Sequence, residues 1–167
     1  MSESDEHNKR VVSMLVEAIS RGDLAVFDEV YTAEAAAKAR QWVRPFLESF
    51  PDVRMDVVQM VADGDTVVAR LRCSGTHLGL WRGHAPTGRR FERVDEVYFF
   101  SFKDGLISGS WGIEDNLKRF GQLGLTLWTR RLISLEIRGV SSRGKQRARK
   151  VLVPVPSHGF PSTRPFS

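Results

Sequence analysis

Arg54-Met55-Asp56-Val57-Val58-Gln59-Met60-Val61-Ala62-Asp63-Gly64-Asp65-Thr66-Val67-Val68-Ala69-Arg70-Leu71-Arg72-Cys73 is the stretch on which the fold turns. The apolar period here is two, and Ala62-Asp63-Gly64-Asp65 has hairpin-turn chemistry, so residues 54–61 and 66–77 read as paired antiparallel strands. Downstream, a loop over 78–88 with three glycines and a proline leads to a long strand over 89–102, and Lys103-Asp104-Gly105 turns into a last strand over 106–113. Upstream the period is helical. Val11, Val12, Leu15, Val16 and Ile19 make one apolar face that ends at Arg21-Gly22. Asp23 caps a short second helix carrying Leu24, Val26, Phe27 and Val30, and residues 33–50 form a third with Trp42, Phe46, Leu47 and Phe50 on its apolar face, stopped by Pro51-Asp52. Helices first and an antiparallel meander afterwards predict an α+β fold with the helices on one face of the sheet. Strong curvature of that sheet would leave a ligand pocket between the layers.

The charge is unevenly divided. Residues 1–125 hold 16 Lys+Arg against 19 Asp+Glu, whereas residues 126–167 hold 9 Lys+Arg against Glu136 alone, so the formal net charge of +5 belongs to the C-terminal segment. That segment is basic and Pro-rich and reads as a largely disordered extension, with residues 1–8 as a flexible N-terminus and 9–125 as the domain. Its charges have no interleaved aromatic residues, which argues against a single-strand nucleic-acid site. No apolar run approaches the roughly 20 residues of a membrane span, and the first residues are acidic where a signal peptide is basic, so the chain reads as cytoplasmic. Cys73 is the single cysteine, and His7, His77, His84 and His158 lack metal-ligand spacing. The expectation is a protein without metal or organic cofactor.

Trp111-Gly112-Ile113-Glu114-Asp115 is the candidate chemical site. Strict strand alternation puts Trp111, Ile113 and Asp115 on one face and Glu114 on the other, toward solvent. A carboxylate at the end of an apolar stripe has its charged form disfavoured and becomes usable as an acid or base near neutrality. Asp115 is therefore the candidate catalytic residue. It also stands directly before a helical run, where Asp is a good N-cap, and spacing alone leaves both readings open.

Taken in order, Arg21-Gly22-Asp23-Leu24, Phe50-Pro51-Asp52-Val53-Arg54, Gly64-Asp65-Thr66-Val67-Val68-Ala69-Arg70, Gly75-Thr76-His77-Leu78-Gly79, Pro86-Thr87-Gly88-Arg89-Arg90, Asp104-Gly105-Leu106-Ile107, Trp111-x-x-x-Asp115 and Gln122-Leu123-Gly124 resemble the SnoaL-like polyketide cyclases. The resemblance covers about residues 9–125. It implies the cone of the nuclear transport factor two-like superfamily: N-terminal helices packed in the concave face of a strongly curved, mainly antiparallel sheet. It further implies assembly into homo-oligomers through the sheet, no cofactor, and intramolecular aldol closure of an aromatic polyketide ester, with Asp115 as the base that takes a proton from an acidic carbon. The substrate would be small and hydrophobic or aromatic.

Three further residues are candidate substrate contacts. Tyr98 lies mid-strand, where its hydroxyl could meet a developing enolate or remain a buried structural group. His77 ends the apolar face of Val67, Ala69, Leu71 and Cys73, which suits a satisfied core histidine as well as a pocket residue. Trp111 suits packing and substrate stacking alike, and Trp81 suits packing. The stretch 91–102 is one residue longer than the family pattern, which hints at a bulge. In one departure, Tyr31 passes almost directly into Ala33-Glu34-Ala35-Ala36-Ala37, where relatives have a longer pocket-lining segment. That shortening keeps a second function in view: a non-catalytic small-molecule-binding protein of the same fold.

Overall fold

The computed structural model describes residues 2–125, and the backbone alone of residues 133–137 and 149–153. The chain divides into two units, Met1–Leu127 and Trp128–Ser167. In the first, helix α1 (Glu3–Ser20), the single-turn α2 (Phe27–Val30) and α3 (Ala33–Ser49) precede strands β1 (Arg54–Asp63), β2 (Thr66–Thr76), β3 (Arg90–Lys103) and β4 (Leu106–Glu114), and α4 (Asn116–Leu123) closes the unit. The strands form one antiparallel sheet in chain order. This is the α+β architecture expected, with the helices on the concave face of a curved sheet. In the second unit, β5 (Ile133–Ile137) pairs antiparallel with β6 (Arg149–Val153). The rest of the segment expected to be disordered lies outside the described residues. Among the described residues no helix is long and apolar enough to cross a membrane.

The N-terminus departs from the sequence expectation. Residues 1–8 read as flexible, yet α1 begins at Glu3 because Ser2 and Asp5 form a reciprocal cap: the Asp5 amide donates to Ser2 Oγ at 3.1 Å and the Ser2 amide to Asp5 Oδ2 at 2.7 Å. Asn8 Nδ2 then donates to the Gly64 carbonyl at 3.2 Å, tying the first turns of the helix to the β1–β2 turn.

The main core lies between helices and sheet. Val12, Leu15 and Val16 of α1, Phe27 and Val30 of α2, and Ala36 of α3 meet Val67, Ala69 and Leu71 of β2, Phe100 and Phe102 of β3, and Ile107 of β4. Each large side chain so buried contributes roughly 1.5–3 kcal/mol. A second cluster, Phe50, Val53, Cys73, Trp81, Phe91, Val94, Phe120 and Leu123, fills the end of the cone under α4.

Three β-bulges bend the sheet. One adds Val58 to β1. One sets Glu92 and Arg93 of β3 opposite Ser74, with Arg93 at φ 51°, and is the bulge that the extra residue in this strand suggested. The third places Ser108 outside the β3–β4 ladder, between the pairs Phe102↔Ile107 and Ser101↔Gly109. This last bulge overturns the expected facing of β4. Ile107 points into the core, and after the extra residue it is the even-numbered residues that face inward: Ser110 hydrogen-bonds the buried Tyr31 hydroxyl, Gly112 lies under the Tyr98 ring, and Glu114 joins a buried cluster. Gly112 is required there, because a Cβ would run into Tyr98 Cδ1.

Candidate active site

Helix α4 places the central group of the site. Asp115 is its N-cap, accepting from the Lys118 amide at 2.9 Å, and Gly124 ends it in the left-handed conformation at φ 68°. One turn in, Arg119 sits on the same face as the buried Phe120 and Leu123 and is itself 0% exposed. A guanidinium in that position must be paired. Its Nη2 donates to Glu96 Oε1, and its Nη1 donates to Glu114 Oε2 at 2.6 Å and Asn116 Oδ1 at 2.9 Å. The guanidinium carbon lies 5.0 Å from the Phe91 ring centre, 5.4 Å from Phe46 and 5.8 Å from Trp81, so aromatic faces complete its surroundings.

The two carboxyl groups arrive from adjacent strands. Glu96 of β3 and Glu114 of β4 are register partners, and the Tyr98 hydroxyl bridges them at 3.2 Å and 3.1 Å. Their environments separate them. Glu96 is 2% exposed, and burial, only partly offset by Arg119, pushes its carboxyl up to about 7. Glu114 is more open to water. Burial raises it as well, but the Arg119 charge and hydrogen bond outweigh that and hold it below the usual carboxylate range. Two carboxyl groups whose environments drive them apart in this way let one hold a proton near neutrality while the other stays ionised. Burial also raises Tyr98, with the two glutamates adding to the shift, so its hydroxyl keeps its proton.

The predicted site residues are only partly brought together. Tyr98 lies in the cluster. His77 is fully buried nearby, its ring 5.4 Å from Phe50 and 6.2 Å from Trp81, with Nδ1 accepting from the Thr87 amide at 3.3 Å, and burial lowers its pKa. Trp81 packs as expected, against Phe50 and Phe120. Trp111 is a correction: it is 60% exposed on the outer face, its ring tilted against Phe99 at 5.6 Å, because the Ser108 bulge reversed the strand. Ile113 is likewise outward, at 62% exposed. Asp115 is exposed and engaged as the helix cap, so the apolar surroundings expected for it belong to Glu96, and Glu114 faces the interior in place of solvent. Glu96, Glu114 and Arg119 were not among the predicted site residues. Hollows of about 610 Å³ beside His7, Asp65 and Gly105, and about 370 Å³ beside Leu24, Arg44 and Pro51, touch none of these groups.

The sequence profile described as SnoaL-like polyketide cyclase matches residues 9–123. Among solved structures, TsrD from Streptomyces laurentii is 24% identical, with a TM-score of 0.69 over 75% of this chain and 99% of that one. Wild-type IdmH from Streptomyces antibioticus is 27% identical, with a TM-score of 0.63 over 71% and 99%. A SnoaL-like polyketide cyclase from Agrobacterium tumefaciens C58 is 18% identical, with a TM-score of 0.62 over 70% and 98%, and shares the fold. No curated protein matches the chain.

Proposed function

The chain belongs to the SnoaL-like polyketide cyclase family, and on that premise we propose that it closes a ring within a small aromatic polyketide ester by acid–base chemistry. The observation that carries this reading is the Glu96–Glu114 pair, held by Arg119 and bridged by Tyr98 in aromatic surroundings. Glu114, at the open side of the pair and held ionised, takes a proton from a carbon flanked by carbonyls. The enolate attacks a ketone of the same molecule. The carbon acid is already activated, so holding the two reacting carbons together supplies much of the acceleration.

A second reading keeps the base at Asp115, the carboxylate of the Trp-x-x-x-Asp motif, which is solvent-exposed beside Glu114. Incubation with aromatic polyketide methyl esters, followed by chromatography and mass spectrometry, separates the two. Wild type is expected to form cyclised product, Glu114→Gln to lose roughly 10²–10⁴-fold in kcat, and Asp115→Asn to stay within a few-fold, because Asn caps a helix about as well as Asp. The reverse ranking would move the base to Asp115. Ligand binding without turnover by wild type would favour the non-catalytic binding protein.

We further propose that the protein is a homodimer through the outer face of the sheet. Register aligns Val61, Val68, Phe99 and Trp111 across all four strands, with Val97 and Ile113 in the next row. An outward sheet face is normally polar, and a contiguous apolar one is suited to a second copy. Light scattering after gel filtration is expected to give twice the chain mass for wild type and a monomer for Trp111→Lys; a monomeric wild type would refute it.

A further inference from the structure

The cluster closes into a ring of contacts in which Arg119 binds one oxygen of each carboxyl and the Tyr98 hydroxyl faces the other. A phenol has one proton to donate. It can satisfy one carboxylate, and its contact with the second then sets lone pair against lone pair unless that carboxyl carries a proton of its own. Among the described residues, Arg119 is occupied at the opposite oxygens, the Cys73 thiol hydrogen-bonds Glu96, and Arg82 acts on Glu114 through its charge. With one added proton the ring carries Arg119 and a single carboxylate, so its charges cancel. Without it, a net negative charge sits in a mostly buried site, which is costly.

From this count we propose that the ring holds one shared proton, exchanged between Glu96 and Glu114 through the Tyr98 hydroxyl, and that Tyr98 is the acid that protonates the alkoxide formed on ring closure. The second part rests on the cyclase reading. In the resting ring, Glu96 donates to the Tyr98 oxygen and Tyr98 donates to ionised Glu114. When Glu114 takes the proton from carbon it ceases to accept, which frees the Tyr98 O–H. The carbanion electrons form the new carbon–carbon bond, the ketone π electrons become an alkoxide, and Tyr98 gives that oxygen its proton while drawing one from Glu96. Transfer from Glu114 through Tyr98 back to Glu96 then restores the ring. One proton has moved from carbon to oxygen, and nothing is oxidised or reduced. The arrangement makes acid release conditional on base uptake, so neither group works alone.

Two measurements on the full-length protein test it. In carbon-13 spectra of protein labelled at the glutamate carboxyls, two resonances are expected to titrate together around neutrality as a pair sharing one proton. Their assignment follows from the loss of one signal in Glu96→Gln and of the other in Glu114→Gln. Separate titration of both at ordinary glutamate values overturns the shared proton. In turnover, Tyr98→Phe is expected to lower kcat about 100-fold with KM changed less than about three-fold, and a wild-type rate overturns the shuttle. Coupled titration in a protein that cyclises no ester would leave the shared proton standing while the acid role falls with the cyclase reading.

Discussion

Arg119→Met is expected to destabilise the domain by about 3–5 kcal/mol, the scale for removing one partner from a buried ion pair. Met fills much of the same volume and keeps the contacts with Phe46, Trp81 and Phe91, so the loss is mainly electrostatic. Glu96 and Glu114 would face each other through Tyr98 without a cation. The effect is also expected to depend on pH in a definite direction. Unpaired buried carboxyls have folded-state pKa values above those of the unfolded chain, so the destabilisation is smallest at low pH, where they are protonated in both states, and grows as pH rises through their folded-state values. Urea unfolding at pH 5 and pH 8 measures this. A triple variant, Glu96→Gln, Glu114→Gln and Arg119→Met, provides the control. Removing every charge of a buried cluster is often close to neutral, so the triple variant should recover most of what Arg119→Met loses. Equal losses in both would mean that the cluster matters for its shape alone.

Most of the helices and strands were legible because local rules agree with the global fold, although α2 starts at Phe27 after Val26 and is not capped by Asp23, and Trp42 of α3 is exposed instead of lying on its apolar face. The switch of apolar period at Val53, the Asp63-Gly64 turn and the Lys103-Asp104-Gly105 turn all do in the structure what their chemistry suggests. The site was less legible for one physical reason. Side-chain facing in a strand has period two, so a single extra residue inverts everything beyond it. Strict alternation, without Ser108 bulged out, puts Trp111, Ile113 and Asp115 on the apolar face and Glu114 toward solvent. Signals of the real arrangement were nonetheless present. Glu96 interrupts the alternate run Val94, Glu96, Tyr98, Phe100, Phe102, and Arg119 shares a helical face with Phe120 and Leu123. A lone acid and a lone base on otherwise apolar stripes are each improbable. Read as a pair, they point to each other. Gly112 was a third signal, since a glycine in mid-strand marks a close approach, here by the Tyr98 ring.

Glu96→Gln tests the chemistry and the thermodynamics of the site together. Gln keeps the shape and can still accept from Arg119, but it neither stores nor releases a proton, so kcat is expected to fall by roughly 10²–10⁴-fold. The stability change should have its own pH signature. Glu96 is pushed up to about 7 in the folded protein, chiefly by burial, against an ordinary glutamate value near 4.3 in the unfolded chain. The folded state therefore binds the proton more tightly. The stability this provides is fully present below about pH 4.3 and is lost as pH rises to about 7, a span on the order of 4 kcal/mol. His77, lowered by burial, works in the opposite sense, since its contribution is present above the ordinary histidine range and is lost on acidification. Subtracting the unfolding free energy of Glu96→Gln from that of wild type cancels the His77 contribution. The difference should fall from pH 5 to pH 7.5 and then level off. A difference independent of pH would mean that Glu96 stays ionised throughout, which would remove the proton store and leave the ring as a structural brace.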